Sequence, residues 1–212
     1  MNSLKENIKD DKKAAVLEAG IKVLREKGVS STSMNDIIRE SGLSKGGVYH
    51  YFPSKNDLLI ELWQYFFEIY AVSNLSALQS NPSLKSKKAL AQIDVLMQQH
   101  EANLDDMGKD LRFMMDLFVE ATHNEALKKV FKQQYQLIFT ILKSLIETAQ
   151  QQGDIRKDVD SHLLSASLLA IFDGFSIMYQ ILDNTENYPR MALSSVRLLL
   201  SSVTVKSRGN SE

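Results

Sequence analysis

Three serines, at positions 33, 44 and 54, constrain the fold of this chain more than any other feature, because each marks the start of a helix. Ser33 and Ser54 are each followed three residues later by an aspartate, a pattern typical of a helix N-terminus. Ser44 precedes a segment that must end before Pro53, since proline cannot continue a helix. We therefore expect two short helices, followed at once by a longer one.

An amphipathic segment precedes these three starts. Apolar residues recur at helical spacing through residues 12–27, and Gly28 follows them as a helix-ending glycine commonly does. The two short helices, 34–40 and 45–52, are joined by a turn that contains Gly42. Three compact helices within the first 57 residues, two of them joined by a short glycine-containing turn, are the layout of a helix-turn-helix.

The remaining sequence favours long helices. Only 9 Gly and 3 Pro occur in 212 residues, which argues against an all-β protein with its many turns. We expect the further helices to lie at 84–100, 110–121, 125–152, 161–183 and 188–205. The predicted fold class is therefore all-α, with an N-terminal three-helix unit followed by a larger helical bundle.

Several classes of protein are excluded or disfavoured by composition. The chain has no cysteine, so disulfides and thiolate metal sites are impossible. The 4 histidines show no HxxxH or HExxH spacing, and a glycine-rich phosphate loop and a nucleophile elbow are both missing. We therefore expect no metal, no cofactor and no enzyme. The polar N-terminus and the lack of a long uninterrupted apolar run predict a soluble, cytoplasmic protein without a membrane partner.

The charge is distributed unevenly between the two parts of the chain. Residues 1–57 contain 10 Lys+Arg and 8 Asp+Glu, a net charge of +2, whereas residues 58–212 contain 15 and 18, a net charge of −3. This sign is expected if the first part meets an anionic partner. A heavily basic face is missing, which keeps open a helical protein–protein interaction module whose helix-turn-helix does not contact DNA. A helical-bundle enzyme is a third reading, without a polar cluster to support it.

The short helix after Ser44 divides into two faces when its residues are placed about 100° apart. One arc is apolar and can pack on the first two helices: Val48, Tyr51 and Phe52. The other arc is polar and points away from them: Lys45, Gly46, Tyr49 and His50. Two glycines in the first turn would let the helix N-terminus approach a duplex phosphate backbone closely. The alternative is that Gly46-Gly47 forms a loose turn and that the aromatic residues are core.

These residues carry a family resemblance. The stretch TSMNDIIRESGLSKGGVYHYFPSKNDLL, Thr32 to Leu59, resembles the N-terminal DNA-binding signature of the TetR family of bacterial repressors. The first helix, VLEAGIKVLREKG at residues 16–28, is similar to the opening helix of that family. Two later stretches, QGDIRKDVD at 152–160 and FDG at 172–174, resemble the family less specifically.

The resemblance implies a role for each matched residue. Helix 34–40 would position the recognition helix, 45–52, on the duplex. Phosphate or backbone contacts are implied for Thr32, Ser33, His50, Tyr51 and Lys55. Lys45 and Tyr49 would reach into the major groove, and the remaining predicted DNA-binding residues are Ser44, Gly46 and Gly47. The family often has Thr or Ser at the position of Gly47, so this chain lacks one possible hydroxyl contact.

Two C-terminal segments predict a dimer interface. Between Leu163 and Leu182 the only formally charged residue is Asp173, and apolar residues lie nearly all round the helix, which indicates burial on several sides. Apolar residues continue from Met191 to Leu200. Both segments resemble the paired helices through which the family forms a two-fold dimer. The resemblance therefore implies a homodimer on a palindromic double-stranded operator; a monomeric core is the alternative.

Aromatic and methionine residues concentrate between these two parts of the chain. Helical bundles place ligand cavities between helices, and methionine often lines permissive apolar sites. By resemblance they would form a pocket for a small, largely apolar effector: Trp63, Phe67, Tyr70, Met97, Met114, Phe118, Tyr135, Phe172, Phe175 and Tyr179. Aromatic stripes at helical spacing are also typical of plain core. The polar candidates for this pocket are His100, Asp116, His123 and Gln134, and none stands out.

These expectations divide the chain by function. They predict a helix-turn-helix DNA-binding domain at 1–57, a helical effector-binding and dimerisation domain at 58–206, and a disordered tail at 207–212. The implied function is that of a ligand-responsive transcriptional repressor that its effector releases from DNA.

Overall fold

The computed structural model describes residues 11–68, 88–102, 104–182 and 187–205, and the regular structure within these ranges is helical. The helices in chain order are α1 (Asp11–Lys27), α2 (Met34–Ser41), α3 (Lys45–Tyr51), α4 (Lys55–Phe67), α5 (Ala89–Ala102), α6 (Leu104–Ala121), α7 (Glu125–Gln151), α8 (Ser161–Ile181) and α9 (Tyr188–Val203). The predicted all-α fold class, with an N-terminal helix-turn-helix and a larger helical portion, is confirmed.

The helix boundaries follow the predicted signals. Ser33, Ser44 and Ser54 are the N-caps of α2, α3 and α4, and each side chain accepts a hydrogen bond from the backbone N–H three residues on. The largest difference is in α6, which begins at Leu104 instead of the predicted residue 110. Residues 84–87 and the predicted tail, 207–212, lie outside the described residues.

The chain divides into two compact units. Among the described residues, the first unit contains 11–68 and 108–133, and the second contains the remainder. The division passes through α6 and α7, so each of these helices contributes residues to both units. The predicted functional domains, with their boundary at residue 57, remain a prediction.

The core of the first unit forms around α1, which contacts α2, α3 and α4. Its fully buried side chains include Leu17, Leu24, Ile37, Val48, Leu58 and Leu62. Gly20 lets α1 lie close to α4, because a Cβ at this position would come within 3.2 Å of Leu58 Cδ2. The short helices therefore owe their place to apolar burial, since α3 is too short to be stable alone.

Residues from α6 bind the end of α1 and the turn after it, within the first unit. The buried Asp110 carboxylate accepts hydrogen bonds from two guanidinium nitrogens of Arg25, with Nε 2.7 Å from Oδ1. Asp116 Oδ2 lies 3.4 Å from the backbone N of Val29, and Lys55 Nζ donates to the Val29 carbonyl. These contacts hold the turn that leads into α2.

Replacing Asp110 by alanine is expected to destabilise the protein by about 2 kcal/mol, the cost of losing charge-assisted hydrogen bonds to a partner that can turn into solvent. Chemical denaturation checks this value. The matched control is Lys128→Ala, which removes the exposed ion pair with Glu125 and should change stability by less than about 0.5 kcal/mol. Equal effects of the two substitutions would contradict a stabilising role for the Arg25–Asp110 contact.

The core of the second unit is formed by α5, α7, α8 and α9, with α9 contacting both α5 and α8. Its fully buried members include Ala89, Ile146, Ala149, Ile155, Leu168 and Leu193. The loop between α7 and α8 places Ile155 in this core and forms an isolated antiparallel bridge between Ile155 and Thr204. Asp160 then caps α8 by accepting hydrogen bonds from His162 N and Leu163 N, as its position before a helix predicts.

Candidate nucleic-acid interface

The two predicted faces of α3 are present in the structure. Val48 and Phe52 are buried at 0% and 2% exposure, and Tyr51 is half-buried. The opposite face is exposed and carries Lys45, Gly46, Tyr49 and His50. The buried pair anchors α3 on the core of the first unit, so the exposed face is held in a fixed orientation.

A cation and an aromatic ring are paired on this exposed face. Lys45 Nζ lies 5.9 Å from the centroid of the Tyr49 ring, one helical turn away, within the range of a cation–π interaction. No carboxylate pairs with Lys45 among the described residues, whereas Lys22 pairs with Glu40. The positive charge of Lys45 is therefore available to an anionic partner.

The two glycines at the start of α3 have different surroundings. A Cβ at Gly46 would meet no heavy atom within 4 Å, so this position is open to solvent. A Cβ at Gly47 would lie 3.3 Å from the Oγ of Ser44, and that oxygen accepts the hydrogen bond that caps α3. Gly46 thus leaves clearance on the exposed face, while Gly47 leaves room for the cap.

The start of α2 is held by a complete capping box. Ser33 Oγ accepts from Asp36 N and donates to Asp36 Oδ2, while Ser33 N donates to the same carboxylate. Asp36 Oδ1 accepts from Lys27 Nζ at 2.6 Å and from Arg39. The hydrogen bond from Lys27, followed by those from Ser33, holds the pKa of Asp36 well below its usual range. The exposed first turn of α2 is thus held by side-chain hydrogen bonds.

Two predicted DNA-contact residues have internal partners. Thr32 is 4% exposed, and its hydroxyl donates to the Gly28 carbonyl at 2.8 Å. Gly28 itself has a φ of +78°, a conformation that L-residues rarely adopt. Lys55 is half-buried with its ammonium directed at Val29, and burial lowers its pKa. Their roles as phosphate contacts stay predictions, and in this structure both residues stabilise the turn before α2.

The predicted effector residues are divided between the two units. In the first unit Trp63 stacks on Phe131 with ring centroids 3.7 Å apart, and Phe118 meets the same ring edge-on. Also in the first unit, Met114 is half-buried and Phe67 is buried. In the second unit Met97 is buried in the core, Phe172, Phe175 and Tyr179 are half-buried, and Tyr135 is exposed. Tyr70 lies outside the described residues, and so does the side chain of His100.

The remaining polar candidates have mixed surroundings. Asp116 is engaged by Val29, and His123 is exposed between α6 and α7. The Oε1 atom of Gln134 is buried and finds no hydrogen-bond donor among the described residues. Asp173 was not among the predicted pocket residues, although its charge within an apolar helix is visible in the sequence. It accepts a hydrogen bond from the Tyr135 hydroxyl at 3.3 Å.

An exposed apolar face extends along α8 and α9 in the second unit. On α8 it contains Leu163, Ile177, Met178 and Ile181, and on α9 Met191 and Leu198. Between the large residues of α8 lies Gly174, where a Cβ would meet nothing within 4 Å. Length and composition alone would let Ser161–Tyr179 cross a membrane, and only 17% of that window is buried within the chain.

Sequence comparisons identify relatives over both parts of the chain. A model of the tetR family of bacterial regulatory proteins matches residues 16–62, and a model of the C-terminal part of BetI-type transcriptional repressors matches residues 93–197. The chain is 28% identical over 167 residues to an uncharacterized HTH-type transcriptional regulator, YfiR, of Bacillus subtilis (strain 168), an alignment that covers 78% of each protein.

Comparisons of three-dimensional structure agree with these matches. A TetR transcription regulator from Haloarcula marismortui aligns with a TM-score of 0.79 at 22% identity, covering 92% of this chain and 99% of that one. A transcriptional regulator from Pseudomonas aeruginosa aligns with a TM-score of 0.75 at 19% identity, covering 90% and 88%. The matched proteins are regulators and not enzymes. The chain belongs to the TetR family of transcriptional regulators, with a DNA-binding helix-turn-helix at its N-terminus.

Proposed function

We propose that this protein is a ligand-responsive repressor that binds a palindromic operator as a homodimer in the cytoplasm. The observation that carries the proposal is the exposed face of α3, where Lys45 and Tyr49 stand beside an unobstructed Gly46. Lysine is suited to guanine O6 and N7 in the major groove, and phosphates can approach where no side chain projects. Exposed His50 lies on the same face and supplies a donor for a phosphate oxygen.

The exposed apolar face of α8 and α9 supports the proposed homodimer. On this face Leu163 is 65% exposed and Leu198 is 72% exposed. A contiguous exposed apolar surface of this kind marks an interaction site. Small residues on α8, such as Ala170 and Gly174, would let a partner helix approach closely. A second copy is favoured over a membrane because α8 packs along α9, and because the regulators of this family form dimers.

The proposed effector would bind among the partly exposed aromatic side chains. Its binding would favour a dimer in which the distance between the two recognition helices does not match the two half-sites of the operator. Regulators of this family bind DNA and form dimers with small-molecule effectors. The effector needs only to bind one conformation of the dimer more tightly than the other. The coupling free energy between effector binding and DNA binding in such systems is typically about 1–3 kcal/mol.

A reporter assay tests the proposed repression. The operator, selected from random duplexes, is placed over a promoter, and expression is measured with and without the protein. We expect lower expression with the parent chain and full expression with Lys45→Ala. Unchanged or increased expression with the parent chain would contradict the repressor assignment.

Gly46→Ala separates the stability of α3 from its role at the duplex. Because the site is open and alanine favours a helix, we expect stability to rise by about 0.5–1 kcal/mol. We also expect weaker operator binding, since the new methyl group occupies the clearance on the exposed face. Thermal unfolding and fluorescence anisotropy measure the two effects. An equally stabilised variant with unchanged affinity would show that the clearance has no role.

A further inference from the structure

The ammonium group of Lys55, in the first turn of α4, is directed into the first unit. Its Nζ donates to the backbone carbonyl of Val29, a residue that is only 2% exposed. The same carbonyl accepts a hydrogen bond from the backbone N of Thr32 at 3.4 Å, within the turn between α1 and α2. Lys55 therefore joins the start of α4 to the turn that leads into α2.

A side chain of α6 reaches the same residue of this turn. Asp116 Oδ2 lies 3.4 Å from the backbone N of Val29, and a Cβ at Gly28 would come within 3.1 Å of that oxygen. Gly28 has a φ of +78°, so glycine here permits both the turn and the approach of the carboxylate. The backbone of Val29 is thus contacted from two helices, its N–H by α6 and its carbonyl by α4.

The surroundings of the Lys55 ammonium are unfavourable for a DNA phosphate. Burial lowers the pKa of Lys55, and the negative charge of Glu120 on α6 partly opposes this shift. At the next position of α4, Asn56 Oδ1 accepts from Asn124 Nδ2 at 2.9 Å, so the first turn of α4 also contacts the corner between α6 and α7. Lys55 therefore lies beside an α6 surface that carries the carboxylates of Asp116 and Glu120, and these would repel a phosphate.

We propose that Lys55 and Asp116 are positioning residues of the DNA-binding site, which hold the backbone of Val29 and thereby fix the start of α2 relative to α4. The inference rests on the proposed binding of an operator, and for Lys55 it replaces the phosphate contact that the family resemblance implies. The turn leads directly into α2, and α2 contacts the recognition helix α3. A shift of the turn would displace α3 from the bases without removing a contact to DNA.

The salt dependence of DNA binding by Lys55→Met separates a positioning role from a phosphate contact. Each neutralised phosphate contributes about 0.9 to the slope of log K against log salt concentration. Lys55→Met removes the ammonium but keeps an unbranched side chain. We expect operator binding to weaken by about three- to tenfold, while the slope and the affinity for random duplex stay unchanged.

Two results with Lys55→Met would overturn the proposal. A slope smaller by about 0.9, with equal losses for operator and random duplex, would show that Lys55 contacts a phosphate. Parental affinity for the operator would show that the Val29 contact has no role in recognition. Lys45→Met is the matched comparison, since it removes an ammonium that faces solvent on α3 and should reduce the slope. Chemical denaturation establishes that both variants are folded under the conditions of the binding assay.

Asp116→Ala tests the same turn from α6 and has the opposite electrostatic effect. Removal of a negative charge would by itself strengthen binding to DNA of any sequence. The positioning role predicts weaker operator binding instead, and Asp116→Asn, which keeps an oxygen that can accept from Val29 N, should restore most of the parental affinity. The control is Glu125→Gln, which removes a charge from an 85% exposed side chain of the first unit and should not weaken operator binding. Operator binding by Asp116→Ala as tight as that of the parent, or tighter, would overturn the role of Asp116.

Hydrogen–deuterium exchange without DNA distinguishes failure of this inference from failure of the proposed function. Lys55→Met should speed the exchange of backbone amides in residues 28–36 and leave residues 146–155, in the core of the second unit, unchanged. Unchanged exchange in residues 28–36 would overturn the positioning role, whether or not the chain binds DNA. A parent chain that selects no operator, but whose turn exchanges faster in Lys55→Met, would contradict the proposed function and still support the role of Lys55 in holding the turn.

Discussion

Replacing Lys45 or Tyr49 by alanine is expected to weaken sequence-specific operator binding strongly while the fold and the dimer survive. Both side chains lie on the exposed face of α3 and contribute little to its packing, which depends on Val48 and Phe52. A good major-groove contact is worth about 1–3 kcal/mol, so each substitution should weaken binding by about tenfold to hundredfold. Fluorescence anisotropy with a labelled operator measures the loss.

The control for this experiment is Lys128→Ala, which removes an exposed positive charge elsewhere in the first unit. It should reduce specific and non-specific DNA binding by similarly small factors. Lys45→Ala should instead reduce the ratio of specific to non-specific affinity, because base contacts carry the sequence information. Parental affinity in both α3 variants would show that another element reads the DNA.

Gly174→Glu is expected to convert the dimer into monomers and so remove tight operator binding. The residue lies on the exposed apolar face of α8, and a Cβ added there would meet no heavy atom of the described residues within 4 Å. A carboxylate buried without a partner between two copies would be strongly unfavourable. Because two linked half-site contacts bind far more tightly than one, loss of the dimer should weaken operator binding by about 100-fold or more. Analytical ultracentrifugation measures the oligomeric state.

Ser144→Glu is the matched control, since it adds the same group at an exposed position of α7. It should leave the dimer and operator binding unchanged. Thermal unfolding must show that Gly174→Glu remains folded, and we expect no loss of stability, because glutamate favours a helix more than glycine does. A dimeric Gly174→Glu variant would exclude this face of α8 from the interface.

Local rules account for the parts of the fold that could be predicted from sequence. The caps at Ser33, Ser44 and Ser54, and the stop enforced by Pro53, depend on residues only a few positions apart. The orientation of α3 could be predicted from helical periodicity, because Val48 and Phe52 are apolar and four residues apart, which places both on the same face. Both side chains are buried in the structure. Such features are visible without tertiary information.

Contacts between distant segments could not be predicted in this way. The Arg25–Asp110 contact joins residues 85 positions apart, and neither side chain differs in sequence from an ordinary surface charge. The inward hydrogen bonds of Thr32 and Lys55 depend on the backbone of the turn after α1, whose shape is set by Gly28 and by α6. The early start of α6 was missed because predicted helix ends are less certain than helix centres.

Some polar groups acquire meaning only from their surroundings. In the sequence, Asp173 is the only formally charged residue between Leu163 and Leu182. The hydrogen bond from the Tyr135 hydroxyl shows that Asp173 contacts α7. The two glycines of α3 also differ only in their surroundings. The space around Gly46 is open, whereas a Cβ at Gly47 would lie close to the Ser44 hydroxyl that caps the helix.

The most direct test of the proposed function is selection of bound duplexes from a random pool with the parent chain. We predict enrichment of an inverted repeat whose half-sites are separated by one or more helical turns, as two recognition helices related by a two-fold axis require. Binding to the enriched duplex should fall steeply with salt concentration, because phosphate contacts release counterions. Enrichment of no sequence, or of a single half-site without symmetry, would contradict an operator-binding homodimer.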